Sequence, residues 1–182
     1  MSDARLFLGL FPDSVVRRDL ATWRDAGKWP RSATPVRSGR LHLTLHFIGD
    51  VPRERVPGLA EALCVPFEGF QMQFGRAILW PHGLAVLEPN DVPDALKQLH
   101  AALAGVLRTL GLPLDARPYK AHVTLARRAA GAVLACDGPS IAWPIDRYAL
   151  MESTLGSDGG YTVVREYPGG APTSPAPGRG SP

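Results

Sequence analysis

Leu41-His42-Leu43-Thr44-Leu45-His46-Phe47-Ile48 and, eighty positions after the first histidine, Ala121-His122-Val123-Thr124-Leu125 are the two stretches on which the fold turns. Both are runs of β-favouring residues, in which side chains alternate between two faces. His and Thr therefore share one face of each strand. Leu41, Leu43, Leu45 and Phe47 take the other face of the first strand, and Val123 and Leu125 that of the second. The apolar side is directed to a core and the polar side to a groove or solvent. Composition alone yields two His-x-Thr-Leu tetrapeptides on the order of 3 times in 10,000, so the repeat points to two matched histidines facing one substrate.

Outward from the motifs, strand and helix patterns interleave. Arg5 to Leu10 reads as a buried opening strand. It is followed by an amphipathic helix with Val15, Val16, Leu20 and Trp23 on one side, Asp13 as N-cap and Gly27 as stop. A short helix covers Glu54 to Cys64, with Pro57 tolerated in its first turn. The clearest helix runs from Val92 to Leu110, with Asp91 to cap it and Gly111 to end it. Phe70 to Phe74 alternates as a strand, and Ala77 to Trp80 with Leu84 to Glu88 forms a hairpin around Pro81-His82-Gly83. Ile141 to Ser153 and Tyr161 to Tyr167 form another, joined by the turn-rich 156–160. Hairpin-like strand pairs favour an α+β fold of antiparallel sheets over a parallel doubly wound sheet. One domain spans 1–167; 168–182, rich in Pro, Gly and Ser, reads as a flexible tail.

The chain has 182 residues, 45% hydrophobic and 20% charged, ordinary for a soluble globular protein. No apolar run approaches the roughly 20 residues that span a bilayer, and the first residues lack a signal-peptide pattern. The expectation is a cytoplasmic protein without membrane association. Cys64 and Cys136 are isolated, against a zinc knuckle or disulfide framework. A net charge of +3 is short of indiscriminate nucleic-acid binding. Its distribution matters more: Arg37 and Arg40 precede the first motif, and Arg117, Lys120, Arg127 and Arg128 surround the second. An anionic substrate fits, although such cations also serve solubility. No interface signal is evident, and a monomer is expected.

Two histidines on opposing strands suit concerted acid and base catalysis, because imidazole titrates near neutral pH. At a phosphodiester, one deprotonates the attacking hydroxyl or water while the other protonates the leaving oxygen, and no metal is needed. The hydroxyls of Thr44 and Thr124 can donate to non-bridging phosphate oxygens, and Arg127 adds a charge-assisted contact. A single His-x-Thr would usually be structural; the matched pair argues otherwise. His46 reads as peripheral on the face of His42, His82 and His100 as structural, and Trp80, Trp143 and Tyr148 as packing. Tyr119 is placed to touch a ligand. A metal site of His42, His46 and His122 lacks a carboxylate or Cys partner.

At these motifs the chain resembles the two-histidine (2H) phosphoesterase superfamily, and more closely the bacterial and archaeal RNA 2',3'-cyclic phosphodiesterases, also called 2'-5' RNA ligases. The likeness extends through Arg5 to Pro12, Leu41 to Gly49, Arg117 to Arg127 and Ile145 to Ser153, and covers about Arg5 to Tyr167. It implies two pseudo-symmetric lobes of antiparallel sheet with outer helices around a central cleft. It also implies metal-independent hydrolysis of an RNA terminal 2',3'-cyclic phosphate to a 2'-phosphate, and reverse 2'-5' ligation, with no cofactor. By the same resemblance His42 is the acid, His122 the base, and Thr44, Thr124 and Arg127 hold the phosphate. Tyr119 and His46 are candidate nucleoside contacts; His46 departs from the small or varied residue expected there. The partner is an RNA with a 2',3'-cyclic phosphate end, tRNA fragments among them. The same histidine pair would serve 2'-5' oligonucleotides or nucleotide cyclic phosphates, and a non-catalytic RNA or nucleotide binder is the rival from another class.

Overall fold

The computed structural model describes residues 3–136, 138–154 and 160–170. In chain order the strands are β1 (Asp3–Leu10), β2 (Thr34–Pro35), β3 (Leu43–Pro52), β4 (Phe70–Trp80), β5 (Leu84–Pro89), β6 (Val123–Arg127), β7 (Ile141–Ile145), β8 (Arg147–Ser153) and β9 (Tyr161–Pro168). The α-helices are α1 (Ser14–Ala26), α2 (Val56–Ala62) and α3 (Asp94–Thr109). The expected α+β architecture is present as one curled antiparallel sheet in the order β7-β4-β5-β6-β3-β1-β8-β9, with β2 on β6. It divides into β7-β4-β5-β6 and β3-β1-β8-β9, and the β3–β6 ladder between them is, among the described residues, the pair Leu43 and Val123.

The halves are built alike. β1 pairs with β3 as Leu10↔Leu43 and Gly9↔Thr44; β5 pairs with β6 as Leu87↔Val123 and Val86↔Thr124. Each unit is a strand, a helix and the strand that carries the motif, with the helices exchanged. α1, which follows β1, packs against β6 and β7, while α3, which follows β5, packs against β3. Leu43, Val123, Leu87, Leu10, Leu20 and Leu103 are all buried in one core, because the apolar faces of both halves meet the helices there.

Local chemistry explains the helix ends. The Asp13 carboxylate accepts the Val16 backbone N–H at 2.8 Å, and Gly27 follows the last turn of α1. Val16, Leu20 and Trp23 are buried as expected, but Val15 is 53% exposed, since one residue before Val16 turns onto the neighbouring face of a helix. α3 begins at Asp94, later than the pattern suggests, because Pro93 takes the N-cap position and Asp91 makes no cap. Gly111 lies beyond its end at φ +68°. Pro57 falls in the first turn of α2.

Three strand expectations change. β4 runs unbroken from Phe70 to Trp80, with an irregularity between Phe74 and Arg76. Ile141 to Ser153 is two strands: β7 pairs with β4 and β8 with β1, so the chain passes between halves at Asp146. The pairing of β8 with β9 matches the expected hairpin; its turn at 155–159 lies outside the described residues. In the segment read as the start of a tail, Gly169 N–H bonds the Asp146 carbonyl at 2.7 Å and Gly170 N–H the Phe67 carbonyl at 2.9 Å. These backbone bonds fix its first residues to the body, and 171–182 lie outside the described residues.

Asp13→Ala should lower unfolding stability by about 1 kcal/mol, read as a fall in the urea midpoint. An unchanged midpoint would show that the cap contributes nothing.

Candidate active site

The Leu43–Val123 pair sets the geometry. Because the strands are antiparallel, His42 falls on the side of Thr124, and Thr44 on the side of His122. The two rings are anchored identically: His42 Nδ1 donates to the Arg40 carbonyl and His122 Nδ1 to the Lys120 carbonyl, each at 2.7 Å. With Nδ1 carrying the proton, Nε2 of each neutral ring is the acceptor. In the first motif the Thr44 hydroxyl donates to His42 Nε2 at 3.0 Å, which verifies that His and Thr share a face. Gly9 lets β1 and Phe11 close against this motif, since a Cβ there would lie 3.0 Å from the Leu43 carbonyl oxygen and 3.3 Å from Phe11 Cε2.

Aromatic rings wall both histidines. Phe11 stacks on His42 at 5.3 Å and 14°, with Phe7 and Tyr161 each at 5.1 Å. Trp80 lies 4.5 Å from His122, and its indole N–H donates to the Glu88 carboxylate at 2.6 Å. The Arg40 guanidinium sits over Tyr161 and the Lys120 ammonium over Trp80, each at 5.6 Å. Sequence reading took Trp80 for packing and passed over Phe7, Phe11, Tyr161 and Glu88. The alternation of Arg76, Ile78 and Trp80 with Leu84, Val86 and Glu88 around the hairpin is the signal that would have placed Trp80 and Glu88 on one face.

Two expected contacts point elsewhere. The β1–β3 register steps from Leu8↔His46 to Gly9↔Thr44, so Leu45 is an extra residue that reverses the alternation beyond it. His46 is thereby turned from the face of His42 into the interior, where its Nε2 donates to the His100 carbonyl at 2.9 Å and its ring stacks on His100 at 4.0 Å. Phe47, assigned to the core, is 62% exposed and lies beside Phe7. Tyr119 stacks on His100 at 3.9 Å and its hydroxyl donates to the Thr44 carbonyl at 3.4 Å. Tyr119 and His46 thus tie α3 to β3 rather than line the cleft, and a metal trio of His42, His46 and His122 is not assembled. Of the flanking cations, Arg117 turns back to Asp115 and Arg128 donates to Thr34. Arg127, exposed at the end of β6, acts on both histidines.

Burial is the main electrostatic influence. It pushes His42 down to about 4, a hydrogen bond to the Arg40 carbonyl opposing and the charges of Arg127 and His122 assisting. His122 is also lowered, mainly by burial, with Arg127 assisting and the Lys120 carbonyl and the Glu88 carboxylate opposing. Burial likewise lowers His46, and takes His100 down to about 4.

A histidine whose folded pKa lies below its unfolded value stabilises the fold above the unfolded value, near 6.5, and loses that contribution as pH falls toward the folded one. The urea midpoint should therefore drop between about pH 6.5 and 4, above the window of depressed carboxylates such as Asp115. A flat midpoint across that range would contradict the buried, neutral histidines.

Comparison with known proteins places this geometry. The family model described as the 2'-5' RNA ligase superfamily matches residues 11–156. A protein of Escherichia coli (strain K12) named RNA 2',3'-cyclic phosphodiesterase is 31% identical over 153 residues, covering 83% of this chain and 85% of that protein. A protein of the same name from Thermus thermophilus is 30% identical over 186 residues, covering 90% of this chain and 89% of that protein. The crystal structure of E. coli LigT in apo form shares the fold with TM-score 0.80 at 24% identity, over 93% of this chain and 99% of that one. With the matched motifs facing each other across the seam of the sheet, the chain belongs to the 2'-5' RNA ligase superfamily.

Proposed function

We propose that the protein hydrolyses a terminal RNA 2',3'-cyclic phosphate to a 2'-phosphate, using His42 and His122 as an acid and base pair. The observation that carries this reading is the seam: one backbone pair holds two His-x-Thr motifs face to face, with both rings anchored through Nδ1. The names of the E. coli and T. thermophilus relatives support the substrate class.

His122 Nε2 takes a proton from water as its oxygen attacks phosphorus, the P–O3' bond breaks, and His42 delivers a proton to the departing 3' oxygen. Burial leaves His42 neutral near pH 7 in the free protein, so its proton arrives with the substrate, whose negative charge favours the imidazolium. The Thr44 and Thr124 hydroxyls and the Arg127 guanidinium meet the phosphate oxygens, where charge builds up. With the 5'-hydroxyl of a second RNA in place of water, the same two transfers join the ends through a 2'-5' linkage. The reading is of a single-domain monomer working in the cytoplasm on RNA with cyclic phosphate ends, tRNA fragments included. Among the described residues no helix is long and apolar enough to cross a membrane.

The test is incubation of the purified protein, with EDTA present, with a short RNA ending in a 2',3'-cyclic phosphate. A 2'-phosphate product is expected; a 3'-phosphate product or an untouched end would overturn the reading. His42→Ala and His122→Ala should each lower kcat/KM by roughly 10²-fold or more, and a folded variant of near wild-type rate would remove that histidine from the chemistry. Arg127→Ala should raise KM and slow turnover less severely; unchanged KM and kcat would remove it from the site.

A further inference from the structure

The scaffold anchors the two histidines alike, though three rings wall His42 and one meets His122. Each gives its Nδ1 proton to the carbonyl two residues earlier, and each has an aromatic ring against it with the cation of that earlier residue on the ring, Arg40 on Tyr161 and Lys120 on Trp80. A two-fold environment gives two equal proton affinities, whereas an acid and a base working in one step need unequal ones. Equivalent positions across the pseudo-twofold show where the equality is broken. One step beyond the Leu10–Leu43 pair the residue opposite His42 is Phe11, stacked on it. Continued one step beyond the equivalent Leu87–Val123 pair, the register sets Glu88 toward His122, and its charge acts on that ring.

We propose that Glu88 is a positioning residue that helps make His122 the more basic of the two histidines, a charge that the matching place beside His42 lacks. The proposal rests on the acid and base reading above.

Geometry holds the carboxylate for this task. One Glu88 oxygen accepts the Trp80 indole N–H at 2.6 Å, and the same Trp80 ring packs on His122. The other oxygen meets Arg76 at 3.5 Å, a side chain 72% exposed and hence a weak competitor for the charge. The charged groups facing His122 are Glu88 from β5, Arg127 from β6 and, when protonated, His42 from the β3 side. Lys120 holds its ammonium over Trp80. Glu88 is the acidic member of this set, and its charge opposes Arg127 at His122. Phe11 supplies no charge at the equivalent place.

The test uses the full chain and Glu88→Gln, in which the amide oxygen still accepts the Trp80 N–H, so packing is kept; an unchanged thermal midpoint checks this. The imidazole resonances of His42 and His122 are followed against pH in the free protein, and kcat/KM against pH on the RNA cyclic phosphate. In the variant His122 should titrate lower by roughly half a pH unit or more, with His42 unmoved, and the alkaline limb of the profile, which reports the more basic of the two groups, should move down while the acidic limb stays. His122 titrating as in the wild type, or both histidines moving equally, would overturn the proposal. Movement of the acidic limb in place of the alkaline one would overturn it as well. The titration needs no turnover, so absence of activity in the wild type would strike the proposed reaction and leave the effect of Glu88 to be read separately.

Discussion

The backbone pairing of Leu43 with Val123 is the constraint on which the rest of the structure depends. It is the one ladder pair between β3 and β6 among the described residues, and it lies between His and Thr in both motifs. Every property of the cleft follows from it: the antiparallel sense that sets each histidine against the opposite threonine, the burial that keeps the rings neutral, and the shared reach of Arg127. Both side chains of the pair are fully buried. The seam is therefore apolar on the core side and polar toward the cleft, which a strand with a period of two provides without special residues.

Much of this was legible because strand periodicity is a local signal. His42 with Thr44 and His122 with Thr124 are separated by two residues, so their common face follows from the pleat alone, and the Thr44–His42 hydrogen bond reflects it. Helix faces were equally readable where apolar spacing is regular, as at Leu96, Leu99 and Leu103. What failed did so for non-local reasons. The Leu45 bulge exists because β1 and β3 differ in register along their length, and nothing in Leu45-His46-Phe47 announces it. The passage between halves at Asp146 lies inside a continuous strand-like pattern, with Pro144 on the partner edge of β7. Glu88 is brought toward His122 only through the pairing of β5 with β6, a tertiary fact.

The column of His46, His100 and Tyr119 shows how an exception in sequence is absorbed by packing. A buried imidazole needs a partner for its N–H, and His46 finds one in the His100 carbonyl on α3. Three flat rings then fill the space between α3 and the strand that carries Thr44. The Tyr119 hydroxyl reaches the Thr44 carbonyl from the segment leading into the second motif, so the two motifs are linked through the interior as well as at the seam.

The exchange of α1 and α3 between the halves bears on how the chain reaches this state. Each half borrows the helix that covers it from the other, so neither four-stranded unit closes a core by itself. Trp23 of α1, whose indole N–H bonds the Pro139 carbonyl, can be buried only after the later part of the chain has been made. Contacts of such long sequence separation must form before either half gains its full stabilisation, which favours slow, all-or-none folding over independent maturation of two lobes.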